Sequence, residues 1–263
     1  MSIDLSTAIR DALLTGDKRA KVMKTRALVR DYRRGALPVC FTATMPNEPA
    51  RPDKLTVLSP GQMPKRGKGR AQRNRIALWH SIAHIEFVAI DLALDMVGRF
   101  GAEMDEAFIA DFLSVAADEA MHFALIERHL ASMGAAYTDL PVHDGLWQAA
   151  GDTAHDVAAR LAVVPMVLEA RGLDVTPAMI ERVRSHGDSR GAKILQRILD
   201  DEIGHVAAGS RHFTAWCIRK GLNPSIHWIN CVKLYFRGGL KPPFNDSARL
   251  AAGLSRESYA LLV

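Results

Sequence analysis

Six residues of this chain have the types and spacing to hold metal ions. Glu119 and His122 form one Glu-x-x-His, and Glu202 and His205 form a second. On an α-helix this spacing sets a carboxylate and an imidazole on one face, about one turn apart. Glu86 lies 33 residues before Glu119 and Glu169 lies 33 before Glu202, so the two sets superimpose at a constant offset of 83. The offset also carries Asp118 onto Asp201, Arg128 onto Arg211 and His129 onto His212. One Glu-x-x-His arises easily by chance. Two, each with a matched upstream glutamate, point to the ligands of a dinuclear metal site inside a four-helix bundle.

Four carboxylates and two imidazoles offer hard oxygen and borderline nitrogen donors, which suit iron or manganese and do not suit copper(I) or a thiolate zinc site. Two divalent ions would neutralise the four carboxylates, whose charges could not stay unpaired among apolar helices. Glu119 and Glu202, one from each motif, are the expected catalytic carboxylates at the shared centre. Metal-bound histidines usually give their free N–H to a carboxylate, so Asp118 is expected to hold His205, and Asp201 to hold His122. Four-residue steps from the ligands reach Ile82, Ile90, Val115, Phe123, Pro165, Ile198 and Val206, an apolar lining that favours O2 and an organic substrate over a channel for ions. His129 and His212 lie two turns past the ligand histidines, roughly 10 Å away, and read as buried polar contacts. His80 and His84 read as ordinary core histidines. No tyrosine stands four residues after either ligand histidine, where Ile126 and Gly209 sit, so the spacing offers no store for a tyrosyl radical.

The elements that must position these residues follow from periodicity and breakers. Residues 3–34 predict two short helices interrupted at Thr15-Gly16-Asp17. Residues 35–72, rich in proline, glycine and basic residues, predict an extended segment wrapped over the bundle, with Leu55, Val57 and Leu58 as its apolar contacts. The first bundle helix is expected from about Asn74 to Arg99, with Gly98 and Gly101 marking its stop, and the second from about Glu103 to Ser132. Residues 135–152 are the longest break between core helices and read as the long crossover of ferritin-like topology. A third helix is expected from about Thr153 to Ala170, stopped by Arg171-Gly172-Leu173-Asp174, with a short helix starting at Thr176-Pro177. The fourth is expected from about Ser189 to Lys220. The fold class is therefore all-α: an N-terminal extension over 1–72, a bundle over 73–220 and a C-terminal extension over 221–263 that covers one face.

At 263 residues the chain can bury a full core. Three cysteines without a C-x-x-C pair argue for a reducing compartment and against a zinc ribbon or attached rubredoxin, which makes the cytoplasm the expected location. No run of 18 apolar residues predicts a membrane span, and the N-terminus lacks a secretory core. The net charge of +5 is uneven. Basic residues crowd Lys18 to Arg34 and Lys65 to Arg75, as a solvated face or as a surface for RNA or a phosphate-bearing substrate.

Glu86, Glu119-x-x-His122, Glu169 and Glu202-x-x-His205 together resemble the ferritin-like di-iron carboxylate superfamily. The wordings His84-Ile85-Glu86, Leu168-Glu169-Ala170-Arg171-Gly172-Leu173-Asp174 and Pro242-Pro243-Phe244-Asn245 resemble an uncharacterised bacterial family within it, a domain of unknown function. A more distant similarity, through the six ligands alone, is to the tRNA hydroxylase that oxidises a prenylated adenosine. The resemblance implies a helical bundle, two iron ions and O2 chemistry. The expected function is a non-haem di-iron oxidase or monooxygenase acting with O2 on an organic substrate, with its electron donor unspecified. An iron-oxidising or peroxide-scavenging protein and an RNA-binding protein with a structural metal site are the alternatives.

Overall fold

The computed structural model describes residues 3–64, 67 and 71–263. Most of the second basic cluster, Lys65, Arg66, Lys68 and Arg70, lies outside the described residues. The helices are α1 (Leu5–Leu13), α2 (Lys18–Arg33), α3 (Gln72–Phe100), α4 (Glu106–Ser132), α5 (Gly145–Asp152), α6 (Val157–Val163), α7 (Ala170–Ser185), α8 (Ser189–Arg219), α9 (Pro224–Tyr235), α10 (Asp246–Ala251) and α11 (Arg256–Ala260). Among the described residues the extended pairing is confined to an isolated bridge between Val57 and Val142. The protein is all-α. Helix starts fall where the sequence supplies caps. Asp4, Asp17, Asp105, Asp156 and Asp188 each accept a backbone N–H from the first turn of the helix that follows, which satisfies one of the donors a helix leaves open there. α4 ends before Gly134, whose φ of +76° reverses the chain in a conformation other residues avoid.

The chain forms two compact units, Met1–Trp147 and Gln148–Val263. In the first, α3 and α4 pack along one another, α1 lies on α3, and α2 lies on α4. α3 is apolar nearly all round, with residues such as Phe87, Val88, Ile90 and Leu94 buried. By length and composition the span Gln72–Glu103 could cross a membrane, yet 72% of its most apolar window is buried, as in the core helix of a soluble protein. Gly98 does not stop this helix. A Cβ there would run into Met45 and Ile9, so the glycine is a seat for the N-terminal segment, and Gly101 serves Phe41 in the same way. Met45 and Phe41 are therefore the anchors of the extended segment. Leu55 and Leu58 are only half-buried and Val57 is exposed, because residues 56–58 meet the loop at Val142 through backbone hydrogen bonds.

In the second unit α6 runs through a π-helical turn, Val164–Glu169, directly into α7, and all three pack on α8. The expected stop at Arg171-Gly172-Leu173-Asp174 is absent, and α7 continues with Pro177 inside it. A proline at 177 has no N–H for the carbonyl of Leu173. That carbonyl instead accepts from the Asn245 side-chain amide at 3.1 Å, so the defect is repaired from outside the helix. The irregularity falls earlier, at Pro165, where the wider π turn absorbs the missing donor and the ring. Opposite it Gly209 of α8 lets the two backbones approach, since a Cβ there would collide with the Pro165 ring. Gly209→Ala is expected to cost about 1–3 kcal/mol through overpacking, read from urea denaturation. The same change at Gly172, which faces open space, serves as the comparison and is expected to be neutral or stabilising.

Trp228 of α9 is buried and donates from Nε1 to the carbonyl of Ala162 at 3.1 Å, fastening the C-terminal segment to α6. α10 rests on α7 and α8.

Candidate metal centre

Three of the expected ligands meet in the first unit. Glu86 comes from α3, and Glu119 and His122 from α4, where the three-residue spacing turns both inward. All three are buried. One ligand atom from each lies within 4.8 Å of the others. His122 Nδ1 is 3.2 Å from Glu86 Oε2 and 3.3 Å from Glu119 Oε2. Burial alone would lower the imidazole pKa, but the hydrogen bonds and charges of Glu119 and Glu86 outweigh it and raise the pKa to about 11. The pair of carboxylates thus demands a cation, and the Nδ1 proton sits where their oxygens converge. With the Nδ1 proton released, the two buried carboxylates and the neutral imidazole could hold a metal ion in its place.

The other three expected ligands belong to the second unit. Glu202 and His205 of α8 are buried, with His205 Nδ1 at 3.7 Å from Glu202 Oε2. Glu169 ends the π turn and is half-buried. π turns recur at functional sites because they re-aim side chains within a helix, and this one carries the counterpart of Glu86, whose own helix has none. The residues expected to line the site, including Ile82, Val115, Phe123 and Val206, are all buried. Asp118 and Asp201 are half-buried, and Asp201 accepts from Arg197 one turn earlier at 2.6 Å. His129 is buried edge-on against Trp79, with ring centroids 4.5 Å apart, and His212 is buried as well.

Two features escaped the reading of spacing. The first is a buried aspartate five residues past the leading glutamate of each half: Asp91 after Glu86, and Asp174 after Glu169. Asp91 is completely buried and holds Lys21 of α2 and Arg51 of the extended segment. Burial pushes the Asp91 carboxyl up and the Lys21 amine down, each against the pull of the other's charge. Asp174 accepts a two-pronged contact from Arg249 of α10, at 2.8 and 2.7 Å. Each terminal segment therefore plants a cation beside the helix that carries its unit's first ligand. The signal was available, since 91 and 174 differ by the same 83. The second feature is Tyr137. It is fully buried against Phe87 and Phe123, which adjoin Glu86 and His122. His84 Nε2 faces the His143 carbonyl at 3.1 Å and must donate to it, so Nδ1 accepts the Tyr137 hydroxyl at 2.8 Å. Burial lowers the His84 pKa to about 4 and keeps the ring neutral. This is the satisfied core histidine expected at that position.

The comparisons with known proteins agree with the extent of this architecture. No solved structure matches the chain. An uncharacterised protein of Haemophilus influenzae is 40% identical over 216 residues, which cover 80% of this chain and 75% of that protein. A family model described as "Protein of unknown function (DUF455)" matches residues 14–260, taking in both hairpins and the cations of both terminal segments. The chain belongs to the DUF455 family.

Proposed function

We propose that the protein is a non-haem di-iron oxidase or monooxygenase on a ferritin-like four-helix bundle, with the six residues of the two Glu-x-x-His sets as the ligands of a dinuclear centre. The observation that carries this reading is the buried, cation-demanding cluster of Glu86, Glu119 and His122, matched in sequence by Glu169, Glu202 and His205 at the 83-residue offset. In this reading Glu86, Glu119, His122, Glu169, Glu202 and His205 would hold the ions, with Glu119 and Glu202 as the catalytic carboxylates. Asp118 and Asp201 orient the ligand histidines of the opposite motifs. Two redox-active ions held there, iron or manganese, would supply reductive activation of O2. The chain's own contribution is to fix four carboxylates in a dry setting and to keep bulk water from a reactive oxidant. The apolar surroundings suit an organic substrate. The three cysteines are free thiols, in keeping with the reducing compartment, the cytoplasm, that this reading assumes.

Metal analysis of protein purified without chelator, followed by O2 uptake by the reduced form, tests the reading. Two iron or manganese ions per chain and O2 consumption that increases with an oxidisable organic additive support it. Metal content near zero after reconstitution rejects it. O2 or peroxide consumption driven by Fe(II) alone, with no organic product, selects the iron-oxidising or peroxide-scavenging alternative. For the RNA alternative, the first basic cluster offers less free charge than its composition suggests. Lys21 is buried on Asp91, and Lys18, Lys24 and Arg30 pair with Glu127, Asp11 and Asp31.

A further inference from the structure

From Ile203 to Asn245 the chain contains no aspartate or glutamate, while Arg211, Arg219, Lys220, Lys233, Arg237 and Lys241 all fall within it. The end of α8 and the whole of α9 belong to this stretch. α9 carries apolar side chains on both of its faces, the outer ones interspersed with the exposed Asn230 and Lys233. Trp228, Cys231 and Val232 point inward and are buried, whereas Ile226 and Leu234, two turns apart on the opposite face, are 59% and 72% exposed. Ile218 and Leu222, where α8 gives way to α9, are 66% and 40% exposed. α9 packs on α6, α8 and α11, and these contacts leave Ile226 and Leu234 in solvent.

We infer that this face docks the protein reversibly on an anionic membrane surface. Charge selects the occupant. Lys220, Lys233 and Arg237 are exposed in the same stretch as these apolar side chains, and the stretch has no acidic residue of its own. A second copy presenting the same face would set these cations against their own kind. An anionic lipid surface offers both things the face lacks: negative headgroups for the lysines and arginine, and acyl boundary for Ile218, Leu222, Ile226 and Leu234. The long basic side chains can lay their stems along the apolar layer and keep their charges at headgroup level. Trp216, half-buried with Lys220 Nζ 5.8 Å from its ring centroid, has the amphipathic character of residues that settle at that depth. This is a surface contact, independent of any spanning helix and of the metal centre.

Flotation of the full chain with vesicles tests the inference, using phosphatidylcholine alone and phosphatidylcholine with about 30 mol% phosphatidylserine. Binding is expected on the anionic vesicles, with several-fold less on the neutral ones and a decline as salt rises. The pair Lys220→Ala with Lys233→Ala is expected to weaken it about 30-fold, and the pair Ile226→Asp with Leu234→Asp more than tenfold. Leu250→Asp, an equally exposed apolar residue on α10, should leave binding unchanged. All these side chains are exposed, so circular dichroism should show the fold intact in each variant. Failure to float with either vesicle, or equal flotation of wild type and both paired variants, overturns the inference. Retention on immobilised polyglutamate that depends on Ile226 and Leu234, without vesicle binding, overturns it too and assigns the face to an acidic protein.

Discussion

Arg249→Ala protein should unfold at a much lower urea concentration than wild type, with a loss of about 3–5 kcal/mol. The Asp174 side chain is completely buried, and Arg249 gives it two short bonds beside the one from the Asn245 backbone N–H. Removing the arginine leaves a carboxylate in an apolar setting, with the Arg171 guanidinium at 3.6 Å as its remaining ion-pair partner. The arginine also lies over the rings of Phe244 and Tyr259, at 5.1 and 4.8 Å from their centroids, so truncation loses packing as well as charge. The cost should come from the stranded charge, and a cycle separates the contributions. Asp174→Leu with Arg249→Met replaces both partners by apolar groups and should recover much of the loss. An equal penalty in the double variant would show that packing, not the unpaired carboxylate, dominates. Lys18→Ala gives the scale for a half-exposed pair, since Lys18 and Glu127 keep about a quarter of their side-chain surface in solvent. It should cost less than about 1 kcal/mol.

Glu119→Ala and Glu202→Ala should each lower bound metal well below two ions per chain. Under the proposed function these glutamates, one from each Glu-x-x-His motif, would both hold the metal pair. Loss of either removes a charge that both ions need, and the affinity of the remaining half falls with it. The helices should persist, because α4 and α8 are held by buried apolar residues such as Phe108, Leu113, Leu195 and Phe213. Glu119→Ala should also release His122 from one of the two carboxylates that hold its proton. Glu181 is the control: it is exposed on α7, pairs with Arg184, and has no place in the motif. Glu181→Ala should retain both ions. Unchanged metal in both ligand variants would reduce the 83-residue offset to a relic of duplication. Loss of one ion in each variant, with the other ion bound as tightly as in wild type, would mean two independent mononuclear sites, and loss in one variant alone would confine the metal to that half.

The parts of the molecule that were legible in the sequence are those fixed by short-range chemistry. Glu86, Glu119 and His122 came together because helical spacing dictates which side chains share a face, and helix starts fell beside aspartate caps. The end of the third core helix was misread for a physical reason. Arg171-Gly172 and Thr176-Pro177 are strong local breakers, and what overrides them is Asn245, 72 residues away, which satisfies the Leu173 carbonyl. Nothing in the neighbourhood of Pro177 announces that partner. Pro165 was legible as an apolar residue, yet its effect on the helix register depends on Gly209 across the interface. Asp91 and Asp174 could have been found, because they obey the repeat. Their partners could not, since Lys21, Arg51 and Arg249 come from segments that do not repeat. Tyr137 lies in the loop outside the repeat, so ligand spacing had no means of placing it.

The two buried aspartates also impose an order on biosynthesis. Lys21 and Arg51 are translated 70 and 40 residues before Asp91, so the first unit meets its buried acid with both counter-charges already made. Arg249 follows Asp174 by 75 residues. At about 5–20 residues per second, the Asp174 carboxylate of the nascent second hairpin has only the looser Arg171 contact for roughly 4–15 seconds before Arg249 is synthesised. Until then the Leu173 carbonyl also lacks Asn245, and α7 has neither of the groups that make its proline tolerable. The first unit can close while the ribosome is still at work, whereas the second must remain open until its tail has been translated.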